Sequence, residues 1–316
     1  MDNRRTFLKS LIAAGAVARL PSTADAAAQG AAAGGAPKRT GMRKSVLVTM
    51  LPRDLSYERR FALAREVGFE AIEMRTITSE GEAAEVKEAS QKTGLPVHSV
   101  MNVDHWDLPL SSSDPDVVQR SVRGMETSLR NAVLWGADTV LLVPAVVDAN
   151  TSYKDAWTRS QQVIRERLVP KAAEMKVVIA IEEVWNKFLL SPLEFARYVD
   201  EFESPWVKAY FDVGNVVLYA FPQDWIRTLG PRIVKVHVKD FSFDRRNGRF
   251  AWNNLGEGDI DWPEVRRALG EIGYAGDVTT ELSGGDAAYL KDVSTRLDRI
   301  FAGQAPVPKA PVPKAG

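Results

Sequence analysis

Gly136-Ala137-Asp138-Thr139-Val140-Leu141-Leu142-Val143 joins the end of one regular element to the start of another. Upstream, Asp114-Pro115 reads as a helix start. The aspartate side chain can accept from an unpaired first-turn N–H, and proline fits the first helical position. Val118, Val122, Met125, Leu129 and Ala132 then recur at steps of three and four, the spacing of one helical face. Gly136 ends that helix, because glycine enters the left-handed C-cap conformation without steric cost. The run Thr139–Val143 that follows is β-branched or apolar at every position, as expected of a strand covered on both faces.

The same punctuation returns at Gly68-Phe69-Glu70-Ala71-Ile72 and at Gly273-Tyr274-Ala275-Gly276-Asp277. Eight strand candidates follow from this reading: Ser45–Met50, Ala71–Met74, Val97–Met101, Thr139–Val143, Val177–Glu182, Val207–Val213, Ile233–Lys239 and Val278–Leu282. Ser191-Pro192-Leu193-Glu194 is a capping box at another helix start. Leu290, Val293, Leu297 and Ile300 form the apolar stripe of a last helix. Eight strand–helix units with short connections predict an α/β chain folded as a single-domain (β/α)8 TIM barrel. An open doubly wound sheet would carry a glycine-rich phosphate loop after its first strand. Here Leu51-Pro52-Arg53-Asp54 follows instead.

The barrel is expected over residues 44–302, about 260 residues, the usual size of this fold. Residues 1–28 read as a twin-arginine export signal: Asn3-Arg4-Arg5-Thr6-Phe7-Leu8-Lys9, an apolar run from Leu11 to Leu20, then Thr23-Ala24-Asp25-Ala26-Ala27-Ala28. That predicts a periplasmic or other extracytoplasmic location. The apolar run is too short to span a bilayer, so stable membrane insertion is not expected. Residues 29–43 are an Ala/Gly-rich linker, and residues 303–316 a Pro/Ala/Lys-rich mobile tail.

The 316 residues hold 41 Lys+Arg and 41 Asp+Glu, with zero net charge and no basic stripe, which argues against a nucleic-acid partner. With no cysteine, disulfides and thiolate metal sites are excluded. The histidines are His98, His105 and His237, so a metal site must lean on carboxylates. Such residues stand where active sites of this fold lie, at the C-terminal ends of strands. The fifth strand ends in Glu182-Glu183 and the sixth in Asp212. The seventh carries His237, Lys239 and Asp240, and the eighth ends in Glu281. Each charge follows an apolar run, where it is costly unless paired or metal-bound. Oxygen and nitrogen donors without sulfur suit one divalent ion: Mn²⁺ first, with Mg²⁺, Co²⁺ and Zn²⁺ also compatible.

Ile181-Glu182-Glu183-Val184-Trp185-Asn186-Lys187-Phe188, Phe211-Asp212-Val213-Gly214-Asn215, Val236-His237-Val238-Lys239-Asp240-Phe241, Gly256-Glu257-Gly258-Asp259-Ile260-Asp261-Trp262 and Thr280-Glu281-Leu282 resemble the sugar phosphate isomerase/epimerase group of xylose-isomerase-like TIM barrels. The resemblance spans about residues 45–302. It implies that Glu182, Asp212, His237 and Glu281 hold the metal, and that Glu182 and Glu281 are also the catalytic proton carriers. For the first ligand, both Glu182 and Glu183 match patterns in the group. Strand parity favours Glu182, which shares a face with small Ala180. The implied reaction is isomerisation or epimerisation of a sugar or keto-sugar, by proton abstraction beside a metal-chelated carbonyl with an enediolate intermediate. Asn215 stands where ketose 3-epimerases of the group have histidine, which speaks against ketohexose 3-epimerisation.

Lys239, Asn215, Trp185, Asn186 and His105 are further substrate-binding candidates. Lys239 shares a face with His237 and can hold a substrate oxygen, or else pair with Asp240 or Glu257. Asn215 can line the pocket or cap a helix. Glu73 ends the second strand and can reach the pocket or pair with Arg75. The expected partner is a small-molecule carbohydrate, and a homo-oligomer is compatible with the sequence. Competing readings are a metal-dependent lyase on a keto-glycoside or inosose-like substrate, and a non-catalytic sugar-binding protein. An AP-endonuclease-like nuclease needs more histidines than this chain has.

Overall fold

The computed structural model describes residues 41–307. The expected export signal, residues 29–40 of the linker and residues 308–316 of the tail lie outside the described residues.

Eight parallel strands close into a barrel: β1 (Arg43–Leu47), β2 (Ala71–Arg75), β3 (Val97–Met101), β4 (Thr139–Leu142), β5 (Val178–Glu182), β6 (Val207–Asp212), β7 (Ile233–Val238) and β10 (Asp277–Thr280). Two more, β8 (Asp240–Asp244) and β9 (Arg249–Asn253), form an antiparallel hairpin between β7 and the following helix. Going round the barrel, β10 pairs with β1 and with β7, so the last stave closes the cylinder. This is the (β/α)8 TIM barrel the alternation predicted.

Local signals explain the elements. The helix Pro115–Trp135 starts where the Asp114 carboxylate accepts from Asp116 N–H, and it ends at Gly136, whose φ of 76° is left-handed. Its buried face contains Val122, Met125, Leu129 and Ala132. The Ser191 hydroxyl caps Pro192–Asp200 by accepting from Glu194 N–H. Leu290, Val293, Leu297 and Ile300 are buried on the last helix, Ala287–Phe301.

The outward faces of the strands and the helices share one large apolar core. A smaller cluster of Leu141, Val143, Ala180 and Tyr210 lies apart from it. By strand parity these side chains share the inner face with Glu182 and Asp212, so they pack below the barrel mouth.

Two expectations change. The first strand begins at Arg43, and Val48–Met50 coil into a 3-10 turn rather than extending the strand. Within the expected tail, Pro306 is buried, and Arg299 Nε donates to Ala305 O at 2.8 Å. Gly256 makes this docking possible, since a Cβ there would lie 2.9 Å from Pro306. Among the described residues, no helix is long and apolar enough to cross a membrane.

Candidate metal centre

Glu182 and Asp212 are the last residues of β5 and β6, His237 is next to last in β7, and Glu281 follows β10 directly. The staves are neighbours in the order β5, β6, β7, β10, and Asp212 is the register partner of His237. One ligand atom from each of the four lies within 4.8 Å of the others. Two bonds of about 2.1 Å to a common divalent ion would nearly cover that span.

The imidazole is oriented. His237 Nδ1 faces Glu182 Oε1 at 3.0 Å, Glu281 Oε2 at 3.7 Å and Asp212 Oδ2 at 3.9 Å. Its other nitrogen, Nε2, lies 2.5 Å from Glu73 Oε2. Glu73 is fully buried and accepts at Oε1 from the Ser99 hydroxyl at 2.9 Å. The Tyr210 ring packs against the imidazole at 4.4 Å between centroids. A histidine whose far N–H is held by a carboxylate presents its near nitrogen as a ligand.

The electrostatics also fit a cation. Burial pushes the Glu182 carboxyl up to about 7, with Glu281 and Asp212 adding to the rise against the pull of His237. Burial likewise raises Asp212, whose Oδ2 is buried with no hydrogen bond. It has an ion-pair contact with Lys239 Nζ at 3.0 Å. Burial would raise Glu281 too, but the Lys239 ammonium and His237 overcome it and hold that carboxyl down at about 2. Lys239 Nζ is 2.5 Å from Glu281 Oε2. Three converging carboxylates, one of them with an unbonded buried oxygen, and an oriented imidazole are what a divalent cation needs.

The family description "Xylose isomerase-like TIM barrel" matches residues 61–299. The chain belongs to the xylose isomerase-like TIM barrel family. The "Putative L-ribulose-5-phosphate 3-epimerase SgbU" of Escherichia coli (strain K12) is 27% identical over 248 residues, covering 73% of this chain and 85% of that protein. Among solved structures, a "D-tagatose 3-epimerase-like protein" superposes with a TM-score of 0.70 at 20% identity, covering 83% of this chain and 97% of the other. The "3-keto-D-glucoside 4-epimerase, YcjR, from E. coli" does so with a TM-score of 0.69 at 17% identity, covering 83% and 99%. The family match and the epimerase relatives place the chain in the sugar phosphate isomerase/epimerase group that its motifs resemble.

In this xylose isomerase-like barrel the two adjacent glutamates part company. Glu182 turns to His237, whereas Glu183 Oε1 accepts from Asp212 N–H at 3.0 Å. Glu183 is fully buried, and burial raises its carboxyl well above the usual range. Lys239 reaches the cluster and pairs with neither Asp240 nor Glu257. Asp240 instead accepts from Trp262 Nε1 at 2.8 Å and from Gly256 N–H at 2.7 Å, while Glu257 pairs with Arg296. Gly214 makes room for the lysine stem, because a Cβ there would lie 2.5 Å from Lys239 Cγ.

The other substrate-binding candidates divide. Trp185 is 36% exposed and donates from Nε1 to Asn215 O at 2.9 Å. His105 is buried; burial pushes it down to about 4, and it lies within the field of Glu281. Two amides are engaged by the backbone. Asn186 Nδ2 donates to Ala145 O at 2.6 Å and its Oδ1 accepts from Phe188 N–H at 3.1 Å. Asn215 Nδ2 donates to Glu183 O at 2.8 Å, and its backbone N–H donates to Asp212 Oδ1 at 2.8 Å. Asn186 therefore staples a loop, and Asn215 holds the strand-five and strand-six ends together.

Proposed function

We propose that the chain is a divalent-metal-dependent epimerase or isomerase of a sugar or keto-sugar, acting by proton transfer at a carbon next to a carbonyl. One observation carries this reading. Glu182 and Glu281 reach a single centre from staves separated by β6 and β7, as two-sided proton chemistry requires. The relatives' epimerase names support the reaction class.

A bound divalent ion would polarise the substrate carbonyl and so acidify the adjacent C–H. Manganese, which suits a site made mostly of carboxylates, is the first candidate. Glu182, Asp212, His237 and Glu281 would hold it. The two glutamates approach the centre from staves separated by β6 and β7. One takes the proton and the other returns one from its own side. The Lys239 ammonium balances negative charge developing on the substrate oxygen.

The test is deuterium wash-in from D2O with a panel of keto-sugars, together with metal analysis of the purified protein. We expect about one ion per chain and loss of exchange in Glu182→Gln and in Glu281→Gln. Full exchange in both variants would refute the assignment. Release of a leaving group in place of exchange would assign elimination, which begins with the same deprotonation. We also infer export through the twin-arginine signal at Arg4-Arg5. Cell fractionation of Arg4→Lys/Arg5→Lys should show the protein retained in the cytoplasm.

A further inference from the structure

The β8–β9 hairpin carries an aromatic face. Its register pairs Phe241 with Trp252 and Phe243 with Phe250, so the four rings lie on one side. Trp185, from the end of β5, packs on three of them, with centroids 5.5 Å from Phe241, 5.3 Å from Phe250 and 5.0 Å from Trp252. The base of the hairpin is fixed by the two hydrogen bonds to Asp240 already described. Even so, Trp252 and Phe250 remain 46% and 54% exposed. Single exposed rings are ordinary, but a contiguous group beside a reactive centre marks a binding surface.

A cavity of about 390 Å³ is lined both by Lys239 and Glu281 of the centre and by Trp252, Asn254, Ser283 and Tyr289. Its volume lies in the range of small-molecule pockets. Apart from Lys239 and Glu281, the lining is uncharged. The Ser283 and Tyr289 hydroxyls have no hydrogen-bond partner among the described residues. A phosphoryl group calls for arginine or lysine donors. The one cation in this lining, Lys239, is engaged by Glu281 and Asp212. An aromatic ring with neutral donors and acceptors instead matches a pyranose, which has flat C–H faces and a rim of hydroxyls.

We infer that this cavity is a subsite for a second, uncharged sugar ring, so that the substrate is a glycoside whose reacting ring lies at the metal centre and whose attached ring sits against Trp252. The inference rests on the epimerase reading for the chemistry, but the subsite itself can be tested without turnover.

Calorimetric titration of the manganese-loaded full chain with α- and β-linked disaccharides, glucose and glucose 6-phosphate is the test. At least one disaccharide should bind about tenfold tighter than glucose or glucose 6-phosphate, the gain expected from burying one face of a tryptophan. Trp252→Ala should erase that gain and Trp252→Phe should restore most of it. Ser283→Ala and Tyr289→Phe, which remove one hydroxyl each, should weaken the disaccharide alone. The inference is overturned if no disaccharide outbinds glucose, if Trp252→Ala or both hydroxyl variants keep the gain, or if the phosphosugar binds tightest. Failure of solvent exchange with tight disaccharide binding would remove the epimerase reading and leave the subsite. Normal exchange with equal binding of all sugars would do the reverse.

Discussion

Glu73 Oε2 lies 2.5 Å from His237 Nε2, on the side of the imidazole that faces away from the three clustered carboxylates. With a cation at the centre this contact would keep the proton on Nε2 and leave Nδ1 as the ligand; without one, both ring nitrogens face carboxylates. Glu73 is held in turn by Ser99. Burial opposes its ionisation, but His237 outweighs burial and keeps the Glu73 carboxyl below the usual range. Such outer carboxylates typically set metal affinity by 10–100-fold. Glu73→Gln should therefore weaken Mn²⁺ binding by about that factor with all four ligands intact. Titration calorimetry reads this directly, and unchanged affinity would remove Glu73 from the design.

Chelation should lower thermal stability. Without a cation, Glu182, Asp212 and Glu281 face one another with only Lys239 and His237 to offset their charge. An ion present at a hundred times its dissociation constant stabilises the fold by about 2.7 kcal/mol. For a barrel of about 260 residues, that moves the melting temperature by about 5 °C. Melting curves with saturating Mn²⁺ and with EDTA should differ by this amount, and the gap should close in Asp212→Asn. Superimposable curves would mean that no ion binds in the folded state.

Much of this arrangement was legible in the sequence because it is periodic. Apolar runs between capped helices gave the barrel, and the charges after those runs gave its reactive end. Strand parity alone distinguishes Glu182 from Glu183, and the two do diverge to His237 and to Asp212 N–H. The sequence offered Glu73 either the pocket or Arg75, and only the closed interior brings it to His237, since β2 and β7 are not neighbours in the barrel. The hairpin could have been found. Phe241 and Phe243 alternate with polar residues, as do Phe250 and Trp252 with small or polar ones, around a turn at Gly248, whose φ is 62°. The backbone partners of Asn186 and Asn215 were not legible, because the carbonyls of Ala145 and Glu183 come from other segments.

The staple role of Asn186 makes its own prediction. Its side chain is buried and satisfies Ala145 O and Phe188 N–H together. Asn186→Ala leaves both groups buried without a partner, a loss of about 1–3 kcal/mol. Urea denaturation should show this loss, with KM for a responsive keto-sugar little changed. A large rise in KM at unchanged stability would return Asn186 to the substrate.

His98 links the lower barrel to pH. It lies in β3, with Nε2 3.0 Å from Thr279 Oγ1 and Nδ1 3.6 Å from Asp277 Oδ2. Burial is the largest influence and pushes it down to about 4, although Asp277 pulls upward. In the unfolded chain a histidine titrates near about 6.5. Between these values the unfolded chain binds a proton that the folded chain does not. The stabilising effect is therefore complete above about pH 6.5 and is lost as the pH falls to about 4. At about 1.4 kcal/mol per unit, the total is about 3 kcal/mol. His98→Gln removes this titration and leaves those of His105 and His237 in place. Urea denaturation of both metal-free proteins at pH 7 and pH 4.5 isolates the difference. The wild type should lose about 2–3 kcal/mol more than the variant over that interval. Equal losses would show that His98 is already charged in the folded barrel, held as the ion pair of Asp277.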